Sequence, residues 1–334
     1  MIDIFAHSAI LLLTLADFGV WLLLGLLALI AAGLAGRYLT GRWLVRLARG
    51  AFLLAGIFLL AVSAYQVWFT HRPIPPDITR QLYPGVIYHR EARTQPRPLM
   101  IHIIEIDLSQ PGLQLHVTPG DPTAEYPLTA KTTSQFLQEN GLHVAVNAAF
   151  FTPWWSQGLW DYYPHPGDPV TARGLHSSAG VTYGVDFADY ATVYLSAEQQ
   201  PQFDPPAQIY NALSGNYLFI RNGEIDLPPS RYHADINPRT VLAFSADLQT
   251  MLWIVIDGRQ PNFSEGVDMF ELADIVQGLD VGYALNLDGG GSTTLVAADE
   301  NGQPVLLNSP VDHRIPGRER YIANHLGLSV TQPD

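Results

Sequence analysis

Two unbroken apolar runs open the chain, and short alternating runs fill most of the rest. Phe18 to Gly36 carries no charged residue, and apolar sequence reaches upstream to Ile4, broken by Asp17. Ala51 to Phe69 is a second uncharged run. A helix rises about 1.5 Å per residue, so crossing hydrocarbon takes roughly 20 residues. Both runs meet that length. They are joined by a short stretch that carries Arg37, Arg42, Arg46 and Arg49 and no acid. The positive-inside tendency places such a stretch in the cytoplasm. The pattern therefore predicts a two-helix transmembrane hairpin over residues 1-70, anchored in the lipid bilayer. A multi-pass protein of the inner (cytoplasmic) membrane is expected, with everything after Phe69 on the periplasmic or extracellular side. His71 and Arg72 count against that orientation but are outnumbered. A cleaved signal peptide fits poorly, because Asp3 is the only early charge and no basic leader precedes the apolar run.

A proline-rich stretch follows, with Pro73, Pro75, Pro76 and Pro84. Proline fixes φ and favours extended chain, so residues 71-82 read as a stalk and residues 83-334 as a domain. Within the domain, Leu99 to Asp107 and Leu113 to Val117 read as an antiparallel pair around a Ser-Gln-Pro-Gly turn. Thr132 to Asn140 reads as a helix stopped by Gly141. Asp268 to Gly278 reads as a second helix: Asp268 caps it, Glu271 stands three residues on, and Leu272, Ile275, Val276 and Leu279 form one face. Further strands are expected at His143–Val146, Val181–Val185, Thr192–Leu195, Tyr217–Arg221, Thr240–Phe244, Leu252–Ile256 and His325–Val330. Phe151 to Gly180, rich in Trp, Tyr, Pro and Gly, reads as loop. The expected class is α+β, a mixed and mainly antiparallel sheet with a few packed helices.

Charge separates the two parts. Fourteen of the 18 basic and 29 of the 31 acidic residues fall after Thr70, a net of -15 for the domain. Such a surface has no means of tracking nucleic acid. An anionic substrate must be met by a local arginine cluster. With no cysteine there is no disulfide, thiolate nucleophile or Cys-ligated zinc. The domain must stand on its apolar core, and at roughly 250 residues it can.

The most informative stretch is Asn286-Leu287-Asp288-Gly289-Gly290-Gly291-Ser292-Thr293-Thr294. A strand that stops at a carboxylate and a glycine turn holds that carboxylate on backbone which side chains do not cover. Consecutive amides in such a turn suit an anion. No lysine follows the glycines, so a nucleotide P-loop is excluded. The bland alternative is a tight hairpin.

Four more clusters accompany this turn: Val144-Ala-Val-Asn147-Ala148-Ala149-Phe-Phe151, Asn211-Ala-Leu-Ser-Gly215, Asn237-Pro-Arg239-Thr240, and Trp253-Ile-Val-Ile-Asp257-Gly-Arg259. In that order, over about residues 83 to 331, the chain resembles the phosphodiester glycosidase family, as a membrane-anchored bacterial member. The family typically has Asn-Gly-Gly where this chain has Asn147-Ala148-Ala149, a departure that bears on substrate fit.

The resemblance implies an enzyme that hydrolyses a sugar-1-phosphodiester in a glycan or cell-envelope polymer. Phosphate is a good leaving group, so the chemistry needs an anion cradle and a carboxylate near the oxocarbenium-like centre. On that reading Asp288 is the first candidate for nucleophile or general base and Asp257 the second. Asn147 and Asn286 hold sugar hydroxyls or orient water. Arg239, Arg259 and Arg173 take phosphate oxygens, and Gly289, Gly290, Gly291, Ser292 and Thr293 form the cradle. Trp154, Trp155 and Trp160 offer faces to sugar rings. No cofactor is implied and the histidines show no metal spacing, although His233, Asp235 and Asn237 are hard ligands of the kind calcium takes. Each residue has a structural rival: Asp257-Gly258 is a common turn, Arg239 can pair with a surface acid, and Asn147 can cap backbone. The alternative function is a non-catalytic glycan-binding or exopolysaccharide-assembly protein of the same fold, for which the Asn-Ala-Ala departure is the best support.

Overall fold

A computed structural model describes residues 18–39, 41–158, 161–185, 187, 190–227, 230 and 233–331. The upstream apolar stretch from Ile4 and the indole of Trp160 lie outside these residues. The chain divides into two compact units: one runs up to Pro73 and takes in Gln157–Asp161, and the other holds Ile74–Ser156 and Tyr162 onward.

The first unit is two helices, Phe18–Tyr38 and Arg42–Thr70. Arg42–Thr70 is long and apolar enough to cross a membrane; the apolar part of the other, Gly19–Ala35, is shorter. Arg42, Arg46 and Arg49 lie within the second helix rather than in a loop, since nothing breaks helix between Arg42 and the apolar run. The two helices approach through glycine. A Cβ on Gly56 would lie 2.7 Å from a Leu29 methyl and 3.2 Å from the Gly25 carbonyl. Leu24, Leu27, Ile30, Leu54, Ile57 and Phe58 point outward, exposed.

The second unit is α+β and its strand pairs are antiparallel. An eight-stranded sheet runs in the order Ile78–Tyr83, Val86–Arg93, Leu99–Asp107, Thr250–Ile256, Arg239–Ser245, Val281–Asn286, Tyr217–Arg221, Glu224–Ile225. Facing it, one five-stranded sheet orders Pro304–Leu306, Leu295–Ala298, Val144–Asn147, His325–Val330 and Leu113–Val117, and another centres on Gly174–Ser178 and Asn211–Gly215. Between the layers lies one large core with Ile104, Ile106, Trp253, Leu242, Leu285, Leu115, Val146, Leu213 and Leu326. The other face of the large sheet packs Ile101, Ile254 and Val241 on Leu272 and Val276 of the Met269–Gln277 helix. Central strands are thus buried on both faces. That is why Met251 to Ile256 is continuously apolar rather than alternating.

Both helices of this unit start with capping boxes, Thr132 with Gln135 and Asp268 with Glu271. Gly141, at φ 60°, follows the first.

Three expectations are corrected. Ile78–Tyr83 is a strand, so the irregular stretch after the helices ends at Asp77; Ile78, Leu82 and Tyr83 pack on the core. Leu99–Asp107 and Leu113–Val117 are strands but not a pair. The first joins Val86–Arg93 and Thr250–Ile256, and the second joins His325–Val330 in the other sheet. The turn between them carries the chain from one layer to the next. The stretch from Phe151 to Gly180 also contains strands at Pro169–Ala172 and Gly174–Ser178, which its proline and glycine content concealed.

Candidate active site

Antiparallel pairing brings several chain termini of strands to one edge. Register pairs Arg239 with Ile256 and Val241 with Asn286, so the start of Arg239–Ser245 lies beside the ends of Thr250–Ile256 and Val281–Asn286. From the facing sheet, Val144–Asn147 ends at the same place. The Asn147 side chain ties the ends together: Nδ2 donates to the Asp288 carbonyl at 2.6 Å, and Oδ1 accepts from Thr240 Oγ1 at 2.9 Å and the Thr294 amide at 3.0 Å. The Asp288 amide returns to the Ala148 carbonyl at 2.9 Å. Asn147 is wholly buried, so it positions the Asp288 turn and does not face solvent.

Asp288 is half-buried. Desolvation pushes its carboxyl up to about 6, against the lowering effects of the Ser292 hydroxyl, the Arg320 charge, the Gly289 amide and the Arg259 charge. A carboxyl that titrates near neutrality beside fixed cations is what acid–base chemistry calls for.

The glycine turn differs from the expected amide cradle. Gly290–Ser292 is a turn of 3-10 helix. The Gly290 amide donates to the Pro238 carbonyl at 2.9 Å, Ser292 to Gly289 at 3.2 Å and Thr293 to Gly290 at 3.4 Å. Those donors are used up inside the fold. The glycines serve another purpose, because guanidinium groups lie on them. A Cβ on Gly290 would stand 3.0 Å from Arg259 Nη2, and one on Gly291 would collide with Arg320. The positive charge at this turn comes from arginine.

Arg259 sits at φ 58°, a left-handed backbone uncommon for arginine. Its Nε and Nη2 both donate to Asn237 Oδ1, at 3.0 and 2.7 Å. Desolvation and then the Arg320 and Arg314 charges hold its guanidinium below the usual value. Arg320 donates from Nε to Asp312 Oδ1 at 2.8 Å and from Nη1 to Ser292 Oγ at 3.3 Å, and it lies 4.9 Å over the Trp154 ring. Both arginines line a cavity of ≈ 200 Å³ with Trp154, Tyr162, Asp312 and Arg314. Larger grooves of ≈ 710, ≈ 850 and ≈ 360 Å³ lie elsewhere among the described residues and lack converging arginines.

The remaining sequence candidates divide. Arg173 is exposed and bonds the Tyr190 hydroxyl, whose titration burial raises and which feels the charges of both Arg173 and Asp288. It therefore borders the site. Arg239 donates to the Val267 and Asp235 carbonyls at 3.2 and 2.6 Å and is partly a strut. Asn286 donates to Asn216 Oδ1 at 2.7 Å, while its own Oδ1 and Thr293 Oγ1 are buried without a partner.

Asp257 is 1% exposed. Its oxygens accept from Asn308 Nδ2 at 2.9 Å and from the Ser309 amide at 3.0 Å, and His102 Nε2 stands at 3.2 Å. It anchors the 308–309 loop, and these bonds favour a structural place for it over the catalytic one the sequence suggests. The Asn237 oxygen is held by Arg259, and among the described residues no cluster of metal ligands occurs.

The profile of the phosphodiester glycosidase family matches residues 140–329, more than half of the chain. The chain belongs to the phosphodiester glycosidase family. A relative from Bos taurus, N-acetylglucosamine-1-phosphodiester alpha-N-acetylglucosaminidase, is 26% identical over 279 residues, 78% of this chain and 45% of that protein. Its Mus musculus counterpart is 29% identical over 193 residues, 52% of this chain and 34% of that one. The chain thus spans less than half the length of these curated relatives. In fold it is similar to the zebrafish N-acetylglucosamine-1-phosphodiester alpha-N-acetylglucosaminidase catalytic domain, auto-inhibited by its pro-peptide. There the TM-score is 0.52 at 20% identity, covering 78% of this chain and 86% of that one.

The fold accommodates Asn147-Ala148-Ala149 in place of the family's Asn-Gly-Gly without backbone strain. Neither Ala148 nor Ala149 has positive φ, and both methyls are buried in the core. Ala149's amide is taken by Asn324 Oδ1 at 2.8 Å.

Sequence reading missed Arg320, Asp312 and Tyr190. A signal for the first two existed: His313, Arg314, Arg318 and Arg320 crowd into eight positions of a domain poor in cations.

Proposed function

We propose that this phosphodiester glycosidase is a membrane-anchored hydrolase of sugar-1-phosphodiesters, acting on a phosphate-linked glycan or cell-envelope polymer. The observation that carries the reading is the half-buried Asp288 carboxyl at the head of a glycine turn on which the Arg259 and Arg320 guanidiniums lie, with desolvation pushing that carboxyl up to about 6. Those two guanidiniums bind the bridging phosphate, and the planar fork of each suits paired oxygens. The ionised Asp288 attacks the anomeric carbon or removes a proton from the water that does. In either case the C1–O bond breaks, that oxygen leaves with the phosphate monoester, and water supplies the new hydroxyl of a reducing sugar. Arg173 and Tyr190 border the sugar side. Asn147, Asp257 and Arg239 position these groups.

The helices of the first unit support an anchor. At 1.5 Å per residue, the 29 residues of Arg42–Thr70 extend about 44 Å, beyond the roughly 30 Å of bilayer hydrocarbon. With Phe18–Tyr38 they make a hairpin whose basic end, Arg37 to Arg49, stays cytoplasmic, which puts the catalytic unit on the periplasmic or extracellular side.

The deciding experiment incubates the detergent-solubilised chain with a panel of sugar-1-phosphodiesters and measures reducing sugar. Release by the wild type and at least a thousandfold less by Asp288→Asn are expected. Saturable binding of the panel with no turnover would transfer the protein to the glycan-binding class.

A further inference from the structure

Ser156 and His313 take no part in the phosphodiester reading, yet they stand in a defined relation. Ser156 Oγ lies 3.1 Å from His313 Nε2. On the other side of the same ring, Nδ1 lies 2.6 Å from Asp312 Oδ2. Hydroxyl, imidazole and carboxylate are in line, each within hydrogen-bond reach of the next. That relation of nucleophile, base and orienting group defines a serine hydrolase triad by geometry and role, whatever the order in the chain.

The supporting groups hold the arrangement. Asp312 is 3% exposed. Burial raises its carboxyl's titration, but the His313 bond and the Arg320 charge outweigh that and hold it below the ordinary value, ionised. His313 takes a left-handed backbone at φ 52°, which turns its ring toward Ser156. Tyr162 packs edge-on at 4.9 Å, and Arg318 covers Tyr162 at 5.6 Å. Ser156 is exposed, as a nucleophile must be. All three residues line the ≈ 200 Å³ cavity, and so do Arg259 and Arg314.

We propose that Ser156, His313 and Asp312 form a second catalytic centre, which removes short O-acyl groups from sugars. The size of the cavity sets the class. At ≈ 200 Å³ it has room for an acetyl group, and its lining, mainly aromatic, charged and hydroxyl side chains, offers no aliphatic channel for a long acyl chain. Trp154, Trp155 and Tyr163 give flat walls for a sugar ring. Ser156 Oγ attacks the ester carbonyl as its proton passes to His313 Nε2. The C–O bond to the sugar breaks, and the sugar oxygen takes that proton. Water then attacks the acyl-serine with His313 again receiving the proton, which returns to Ser156 as the carboxylic acid leaves. Ester and water become alcohol and acid.

The test uses the full chain in detergent, a fluorophosphonate probe and 4-nitrophenyl esters. The probe is expected on Ser156 by peptide mass spectrometry. 4-nitrophenyl acetate is expected to show a burst of 4-nitrophenol and then turnover, with the decanoate ester at least tenfold slower. Ser156→Ala and His313→Gln are each expected to lower acetate turnover at least about a hundredfold, and His313→Gln to abolish labelling at an unchanged melting temperature. Wild-type chain left unlabelled at Ser156, or acetate turnover retained in Ser156→Ala, overturns the proposal. Should Ser156→Ala fail to fold, the wild-type labelling decides alone.

Discussion

Replacing Asp288 by Asn should stabilise the fold at neutral pH while it removes activity. The folded carboxyl titrates near 6, and an unfolded Asp near 3.9. Between those values the folded state holds the proton and the unfolded state has lost it. Stability therefore falls as pH rises from about 4 to about 6, and the deficit persists above that. Two units correspond to about 3 kcal/mol at 1.36 kcal/mol per unit. The group is half-buried, so solvent screening trims this to about 2 kcal/mol. The raised value already includes the favourable pull of Arg320 and Arg259, so no separate correction for exposing those cations is needed. Asn keeps an oxygen for the Ser292 hydroxyl and carries no charge at any pH. In calorimetry of the solubilised chain, Asp288→Asn should match the wild type near pH 4 and melt about 4–8 °C higher at pH 8. A difference independent of pH, or a variant less stable at pH 8, would show that desolvation does not govern this carboxyl and would remove the argument for its role.

Other outcomes follow from the same geometry. For the phosphodiester reaction, kcat/KM should fall about tenfold per unit as pH drops below about 6, since the ionised form of Asp288 reacts; a flat profile from pH 4 to 7 would exclude this carboxyl. Arg320→Gln should lower kcat/KM by roughly 10²–10³ and move that limb upward by about one unit, measured by initial rates across pH. Asn147→Ala leaves the Thr294 amide and the Asp288 carbonyl without their partner, and at about 1–3 kcal/mol for each buried orphan it should destabilise by roughly 2–5 kcal/mol in chemical denaturation. Gly291→Ala puts a methyl into Arg320; KM should rise several-fold or more, while a variant with unchanged kinetics would place the guanidinium elsewhere.

Much of the fold could be read from the sequence because its signals are local. Thr132 with Gln135, and Asp268 with Glu271, mark helix starts through bonds three residues apart. Continuous apolar runs such as Met251 to Ile256 mark strands wherever they pair. Pairing itself is not local. Leu113–Val117 joins a strand more than 200 positions on, and nothing within those five residues says so. The site was legible in the same measure. Asp288 stands out because a carboxylate followed by three glycines is rare. Asp257 looked equivalent by neighbours, yet the bonds that bury it come from His102, Asn308 and Ser309, two of them some fifty positions away. Arg320 went unseen because its value depends on Trp154, Ser292 and Asp312, which only the folded chain brings to it.

At the glycine turn the structure favours a different source of positive charge from the one the sequence suggests. Bare peptide suggested amides facing an anion, but Gly290, Ser292 and Thr293 donate within the fold. What the missing side chains provide is room: Arg259 lies on Gly290, and Arg320 on Gly291. The difference has chemical consequences. An amide cradle is fixed in charge and geometry, whereas guanidiniums on the turn also pull down the titration of Asp288 against the desolvation that raises it. Phosphate binding and carboxylate ionisation are then one coupled property. A bound phosphate monoester would draw the field of Arg259 and Arg320 to itself, Asp288 would titrate higher, and a proton would be taken up as product binds. Sulfate, which has the same shape as phosphate and exchanges no proton in this range, should therefore bring protons with it when bound near pH 6.5, measured as a dependence of binding heat on the ionisation enthalpy of the buffer. That uptake should vanish in Asp288→Asn, while an amide cradle remote from the carboxylate would give none in either protein.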